Sequence, residues 1–111
     1  MKIAIPTRGE KGLEDSVSDV FGRAETFTIL EIVDGSIVNV EVAKNPAASY
    51  KHGAGPLVVK MLTEKDVTVV AARELGLGAS TLLEQNNIKA VKVKAGISVR
   101  EALQDILKET E

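Results

Sequence analysis

The side chains best suited to ligand chemistry are a single histidine and a small set of arginines. His52 is the only histidine, and it precedes Gly53 and Gly55, which let backbone amides come close to a bound group. Three of the four arginines fall in or beside loops: Arg8, Arg23 and Arg73. Guanidinium groups bind anions in a fixed geometry, and a histidine binds metals or donates to anions. Each residue alone is equally well a solvated or capping side chain, but their joint placement predicts a local anion receptor.

The same residue types disfavour several kinds of catalytic site. The chain has no cysteine, so it contains no thiolate nucleophile and no cysteine-held zinc or iron-sulfur centre. Asp15 and Asp19 lie among turn residues, where aspartate usually makes local hydrogen bonds. Ser49 is too close in sequence to His52 for the spacing to indicate a hydrolase. We therefore expect no enzymatic activity. Any metal held by side chains must use histidine, carboxylate or methionine, and His52 is the candidate ligand.

The composition is that of a small globular protein. With 111 residues, 44% of them hydrophobic, the chain can build one aliphatic core, and we expect a single domain over residues 1–111. Only 3% of residues are aromatic and the net charge is -2, which disfavours a nucleic-acid binder. No apolar stretch reaches the roughly 18 residues of a membrane span, and Met1 leads directly into a strand-like run. We expect a cytoplasmic protein without a membrane or nucleic-acid partner.

Apolar periodicity predicts the elements that position the candidate residues. Strand-like runs occupy residues 2–6, 26–33, 37–42, 67–72 and 89–93, and helical patterns begin at Pro56, Leu77 and Ser98. Asp34-Gly35 is a tight-turn signal that joins the second and third strands as a β-hairpin. Ser98 and Glu101 have the spacing of a capping box. Residues 7–23 have no period, and they predict a long ordered loop.

This order of elements predicts an α/β fold with helices on both faces of a mixed sheet. Right-handed crossovers and a central first strand give five strands in the order 3-2-1-4-5, with the hairpin near the amino terminus. Ligands of such sheets collect beyond the carboxyl ends of the parallel strands. The predicted edge carries Arg8, Arg23 and Arg73, with backbone amides near Gly53 and Gly76. Gly76-Leu77-Gly78 alone is too weak a pattern to indicate a dinucleotide cofactor.

Four short motifs occur together over nearly the whole chain: Phe21-Gly22-Arg23-Ala24, Asn45-Pro46, His52-Gly53-Ala54-Gly55 and Glu101-Ala102-Leu103. In combination they resemble the dinitrogenase iron-molybdenum cofactor biosynthesis family of small carrier proteins. The resemblance implies a three-layer α/β/α, ribonuclease-H-like fold without nuclease activity, and a role in binding a metal-sulfur cofactor or its precursor. By position, it implies that Arg23, His52, Gly53 and Gly55 line the site.

The chain departs from that family at two places. Members often have a histidine where this chain has Val20, and a pair of glycines where it has Arg73-Glu74. The first change removes a possible ligand, and the second adds charge where bare backbone is usual. A different ligand, a different cluster or reduced binding therefore remains open.

The leading hypothesis is a non-enzymatic carrier of an anionic metal-sulfur cluster or iron-molybdenum-cofactor-like precursor, which can be absent from the purified protein. The acceptor would be an iron-sulfur or molybdenum protein. The alternative is a metal-free sensor or interaction module that binds a phosphate-bearing metabolite or a partner protein. The outer hairpin strand, residues 37–42, is a possible pairing edge with Glu41 as its guard.

Overall fold

The computed structural model describes residues 1–110. Its strands are β1 (Lys2–Thr7), β2 (Thr26–Val33), β3 (Ser36–Lys44), β4 (Val69–Ala72) and β5 (Lys89–Lys92), and its helices are α1 (Ala54–Glu64), α2 (Leu77–Gln85) and α3 (Val99–Thr110). The strands form one sheet in the order β3-β2-β1-β4-β5, with β1, β4 and β5 parallel and β2 antiparallel to both of its neighbours. The predicted strand order and the three-layer α/β/α architecture are confirmed.

The sheet separates two hydrophobic cores. On one face Phe27 and Ile29 pack with residues of α1 and α2, and on the other face Ile3, Ile5 and Leu30 pack with α3. Consecutive residues of β1 thus belong to different cores, as expected for a central strand covered on both faces. The loops that follow β1, β4 and β5 all leave the sheet at the carboxyl ends of these parallel strands, which we call the carboxyl edge.

The hairpin follows the sequence prediction closely. Asp34 and Gly35 both have positive φ angles, 51° and 77°, as the type I′ turn of a two-residue hairpin requires. A register shift between Glu31 and Ile32 lies near the turn, and the rest of β2 pairs regularly with β3 from Asn39 to Lys44. The β3 strand is longer than predicted because pairing with β2 continues through Lys44.

The end of α1 explains why the fourth strand begins later than residue 67, its predicted start. The fourth strand begins at Val69, since the Val67 N–H donates to the Leu62 carbonyl at 3.0 Å and closes α1. Asp66 has a φ of 62° and its N–H donates to Thr63, which completes a Schellman motif. The capping box of α3 is confirmed: the Glu101 N–H donates to Ser98 Oγ at 3.1 Å.

None of the helices found in residues 1–110 is both long enough and apolar enough to cross a membrane.

Candidate functional site

A buried cluster of threonine hydroxyls fixes the point where the first loop leaves β1. The Thr7 hydroxyl lies 2.6 Å from that of Thr26 and 3.0 Å from that of Thr28, and all three residues are buried. The Thr26 hydroxyl also donates to the Gly9 carbonyl. Because these bonds join β1, β2 and Gly9, the backbone next to Arg8 has a fixed position.

The two aspartates of the first loop have different roles. Asp15 is buried, and its carboxylate accepts hydrogen bonds from the N–H groups of Lys11 and Ser16 at 3.0 and 2.7 Å. The prediction of local hydrogen bonding is therefore confirmed for Asp15. Asp19 is exposed, and its carboxylate forms an ion pair with Arg8 at 3.2 Å. Neither arrangement is that of a catalytic acid and base.

The side chain of Asn45 joins the first loop to the loop that contains His52. Asn45 is only 7% exposed, and its amide nitrogen donates to the carbonyls of Gly22 and Ala24 at 2.9 and 2.8 Å. Its Oδ1 accepts a hydrogen bond from the Ala47 N–H at 2.9 Å. We call this set of three hydrogen bonds the Asn45 clamp. The clamp places the backbone on both sides of Arg23 against the end of β3.

The same segment packs closely on the first turn of α1. A Cβ built on Gly22 would lie 3.4 Å from the Ala54 Cβ and 3.6 Å from the Gly55 nitrogen, so a larger residue would press on this turn. Gly53 is the N-cap of α1, with φ 75° and ψ 14°, a left-handed conformation that glycine adopts without strain. Arg23 and the His52 to Gly55 segment are therefore brought to neighbouring positions, although the side chains of Arg23 and His52 are exposed.

An open groove of about 890 Å³ lies beside β5, between the ends of β4 and β5 and the helix α3. We call it the lysine groove; its lining residues are Asp19, Arg73, Lys92, Val93, Lys94, Ala95, Asp105, Lys108 and Glu109. Within residues 1–110 its four cations, Arg73 and the three lysines, form no ion pair with a carboxylate. Of the three carboxylates that line the groove, Asp19 pairs with Arg8, and the other two, Asp105 and Glu109, leave its four cations with an excess of two positive charges.

Arg8 lies between the lysine groove and the Asn45 clamp. It contacts Asp19 of the groove, and it also lines a second cavity of about 430 Å³ together with Glu25, Lys44 and Asn45. Of the predicted site residues, Arg73 lines the lysine groove and Arg8 reaches it through its ion pair with Asp19. The Arg23 loop lies beside Gly55 at the start of α1, outside the lining of the groove. The remaining glycine, Gly76, is the N-cap of α2 with extended backbone, at φ -61° and ψ 158°.

His52 and the helix starts are open to a ligand. In the described part of the chain, His52 forms no hydrogen bond or ion pair, and it is exposed. No side chain among residues 1–110 caps the amino termini of α1 or α2, so their first-turn amides have no side-chain acceptor. Nor do residues 1–110 hold any group of three His, Asp or Glu side chains arranged to bind a metal ion. The arrangement suits an anionic group bound by charge and amides, with His52 as a single additional ligand.

Sequence reasoning missed two parts of this edge. The role of Asn45 was not predicted; the available signal was an Asn-Pro pair at the end of a strand, where asparagine commonly bonds to nearby backbone. Lys92 and Lys94 were also missed, although they alternate with Val91 and Val93 at the end of the fifth strand. That alternation indicates a strand end with one charged face, which the structure places in the lysine groove.

Several known proteins resemble this chain in sequence or in structure over most of its length. An uncharacterized protein of Methanocaldococcus jannaschii is 32% identical over 92 residues, which is 83% of this chain and 74% of the other. The apo form of the orange protein from Desulfovibrio gigas is 30% identical and superimposes with a TM-score of 0.86, covering 97% of this chain and 88% of that protein. A Thermotoga protein described as a candidate NifB, solved by NMR, is 36% identical with a TM-score of 0.79, covering 96% and 87%.

The sequence pattern of one protein family agrees with these similarities. The dinitrogenase iron-molybdenum cofactor family matches residues 1–109, which includes every loop of the candidate site. The resemblance carried by the Phe-Gly-Arg-Ala and His-Gly-Ala-Gly motifs is therefore confirmed over the length of the chain. This protein belongs to the dinitrogenase iron-molybdenum cofactor family.

Proposed function

We propose that this protein is a non-enzymatic carrier that binds an anionic metal-sulfur cluster, or an iron-molybdenum-cofactor-like precursor, at the carboxyl edge of its sheet. The observation that carries the proposal is the lysine groove, where Arg73, Lys92, Lys94 and Lys108 have no carboxylate partner among residues 1–110. The protein as a whole has a net charge of -2, so this positive region is local. A local excess of cations attracts a compact anion without making the surface a general polyanion binder.

Each predicted site residue has a role in this proposal. Arg8, Arg23 and Arg73 neutralise the charge of the cargo, and their N–H groups donate to its sulfur and oxygen atoms. The first-turn amides after Gly53 and Gly76 add partial positive charge from two helix ends. Gly55 keeps the first turn of α1 free of a side chain. His52 is the one residue of the set that donates an electron pair to a metal.

The residues present favour a complete cluster over a bare metal ion. A bare zinc or iron ion needs three or four protein ligands, and no such set of His, Asp and Glu occurs among residues 1–110. The chain also has no cysteine. A cluster that brings its own sulfide ligands does not need those groups, since it requires only charge, hydrogen-bond donors and at most one protein ligand.

The proposal is tested by mixing the protein with thiomolybdate, with and without ferrous iron, in the absence of air, and recording the visible charge-transfer spectrum after gel filtration. We expect protein-bound absorbance for the parent. The variant His52→Ala should bind about tenfold more weakly, equivalent to ~1.4 kcal/mol, because it loses the direct ligand. Lys51→Ala is the matched control, since Lys51 is the exposed neighbour, and it should bind nearly as well as the parent.

Absence of any bound chromophore with the parent protein would contradict the carrier function. Equal binding by His52→Ala and the parent would contradict the ligand role of His52 alone, and would leave the arginines, lysines and amides as the binding groups.

A second candidate function is binding of a phosphate-bearing metabolite without metal. The lysine groove favours it because Val93 and Ala95 lie among its cations, which suits a ligand with both an apolar ring and a phosphate. A rise in the melting temperature with nucleoside diphosphates, but not with molybdate or thiomolybdate, would support this function. The opposite pattern would support the carrier.

A further inference from the structure

The outer edge of β3 is unusually exposed for a strand of its length. Strand β3 is an edge strand of the sheet. It pairs with β2 on one side, and no strand within residues 1–110 pairs with it on the other side. It has 9 residues, more than the average strand, and contains no proline. Val38 and Val40 are 57% and 37% exposed. Natural proteins usually shorten, charge or cover such an edge.

Glu41, the charged residue in the middle half of this edge, is neutralised inside the molecule. The Glu41 carboxylate accepts a hydrogen bond from Lys65 Nζ at 2.6 Å. This ion pair joins β3 to the end of α1, on the sheet face opposite the one where Val40 lies 3.6 Å from a Cβ built on Gly12. Glu41 is therefore held over α1 and compensated by a lysine, so it presents little net repulsion to an approaching strand.

We propose that β3 pairs antiparallel with β3 of a second copy of this chain, about a two-fold axis that passes beside Val40. In this register Val40 faces Val40 of the other copy and Val38 faces Val42. Asn39 faces Glu41, and Ser36 faces Lys44. The two five-stranded sheets then continue as one. This inference does not depend on the proposed function, because the lysine groove lies beside β5 at the opposite side of the sheet.

The register is favoured by side-chain complementarity. Val40 and Val42 lie on one face of β3, opposite Leu30 and Thr28 of β2, and the pairing brings the Val40 side chains of the two copies together on the axis. No two like charges lie directly opposite each other. Lys44 of each copy comes next to the Asp34-Gly35 turn of the other, so each end of the interface brings together opposite charges. The β2–β3 register is regular from Asn39 to Lys44 and shifts at Val38, so the central pairs of the interface, Val40 with Val40 and Asn39 with Glu41, lie in the regular part of the strand.

The first test is the mass of the protein in solution as a function of concentration, measured by sedimentation equilibrium. We expect a monomer–dimer equilibrium for the parent. Val40→Lys should weaken dimerisation at least about tenfold, because it places two lysines opposite each other on the axis. Val20→Lys is the matched control: Val20 is similarly exposed at 48%, but it belongs to the loop between β1 and β2, and this variant should dimerise like the parent. A parent protein that is monomeric at every concentration would overturn the proposal.

The second test reads the register directly and does not require a lysine to be tolerated in a strand. The chain has no cysteine, so Val40→Cys introduces a single thiol. Residues directly opposite in an antiparallel pair have Cα atoms about 4.5–5.5 Å apart, within disulfide range. With copper phenanthroline as oxidant, Val40→Cys should form a covalent dimer rapidly. Asn39→Cys is the control, since its own copies would be diagonal neighbours about 7–8 Å apart. Equal cross-linking of both variants, or none of Val40→Cys, would overturn this pairing.

Discussion

The Asn45 clamp and the lysine groove form two parts of the same sheet edge but are built in opposite ways. The clamp is a buried side chain bonded to backbone groups of two loops, at distances of 2.8 to 2.9 Å. The groove is lined by long cationic side chains, among them Arg73 and Lys92, that are exposed and have no carboxylate partner in residues 1–110. The clamp fixes backbone positions, and the groove supplies positive charge on long, exposed side chains.

The contrast separates two requirements of an anion site. Backbone amides and glycines must be in place before the ligand arrives, because reordering a loop on binding would cost about 1–2 kcal/mol per residue. Charged side chains need no such rigidity, since their attraction for an anion acts over several ångströms and varies slowly with distance. The clamp should therefore matter most for folding, and the groove most for binding.

The largest expected effect comes from removing the clamp. Asn45→Ala leaves the buried carbonyls of Gly22 and Ala24 without their donor, and we expect the free energy of unfolding to fall by about 3 kcal/mol. Urea denaturation measures this loss. Asn39→Ala is the control, since Asn39 is an exposed asparagine of β3, the strand that Asn45 follows, and it should change stability by less than ~0.5 kcal/mol. Equal free energies of unfolding for the two variants would contradict the stabilising role of the Asn45 clamp.

An intermediate effect, on binding alone, is expected in the groove. The double variant Arg73→Ala/Lys92→Ala should lower the affinity for thiomolybdate roughly tenfold and leave the free energy of unfolding within ~0.5 kcal/mol of the parent. Calorimetric titration at two salt concentrations measures it, and the parent should lose affinity with added salt because of screening. Lys11→Ala/Lys60→Ala removes the same net charge outside the groove. If this control weakens binding equally, the effect is one of overall charge.

The smallest expected effect concerns Asp19, which connects Arg8 with the groove. Asp19→Asn breaks an exposed ion pair, so stability should change by less than ~1 kcal/mol, while affinity for anions should rise about twofold because Arg8 is freed. Glu14→Gln is the matched control. It breaks the exposed ion pair between Glu14 and Arg100, at 2.7 Å, which does not line the groove. Both variants should have similar stability, and only Asp19→Asn should bind more tightly.

The strand order was readable from the sequence because it follows from apolar periodicity and from handedness. The apolar run at Ile3 to Ile5, the Asp34-Gly35 turn and the alternation of helix and strand after Pro56 leave few arrangements of the sheet. The motifs around Arg23 and His52 then indicate the family. Each of these signals is contained within a few neighbouring residues.

The features that could not be read depend on partners far apart in the chain. Asn45 bonds to carbonyls 23 and 21 residues earlier, and Glu41 pairs with a lysine 24 residues later. Contacts between residues so far apart depend on the final packing of the chain, which the periodicity of apolar residues does not encode. The predicted start of β4, residue 67, was wrong for a related reason. Asp66 adopts the left-handed conformation that glycine usually adopts at a helix end.

The hydrogen bonds of Asn45 also bear on how the protein tolerates change in its sequence. All three partners of its side chain are main-chain atoms, of Gly22, Ala24 and Ala47. Main-chain atoms persist whatever side chains the neighbouring positions carry. The side chains displayed beside them, at Arg23 and His52, can therefore be exchanged without removing these hydrogen bonds, so the position of the loops is independent of the chemistry that they display.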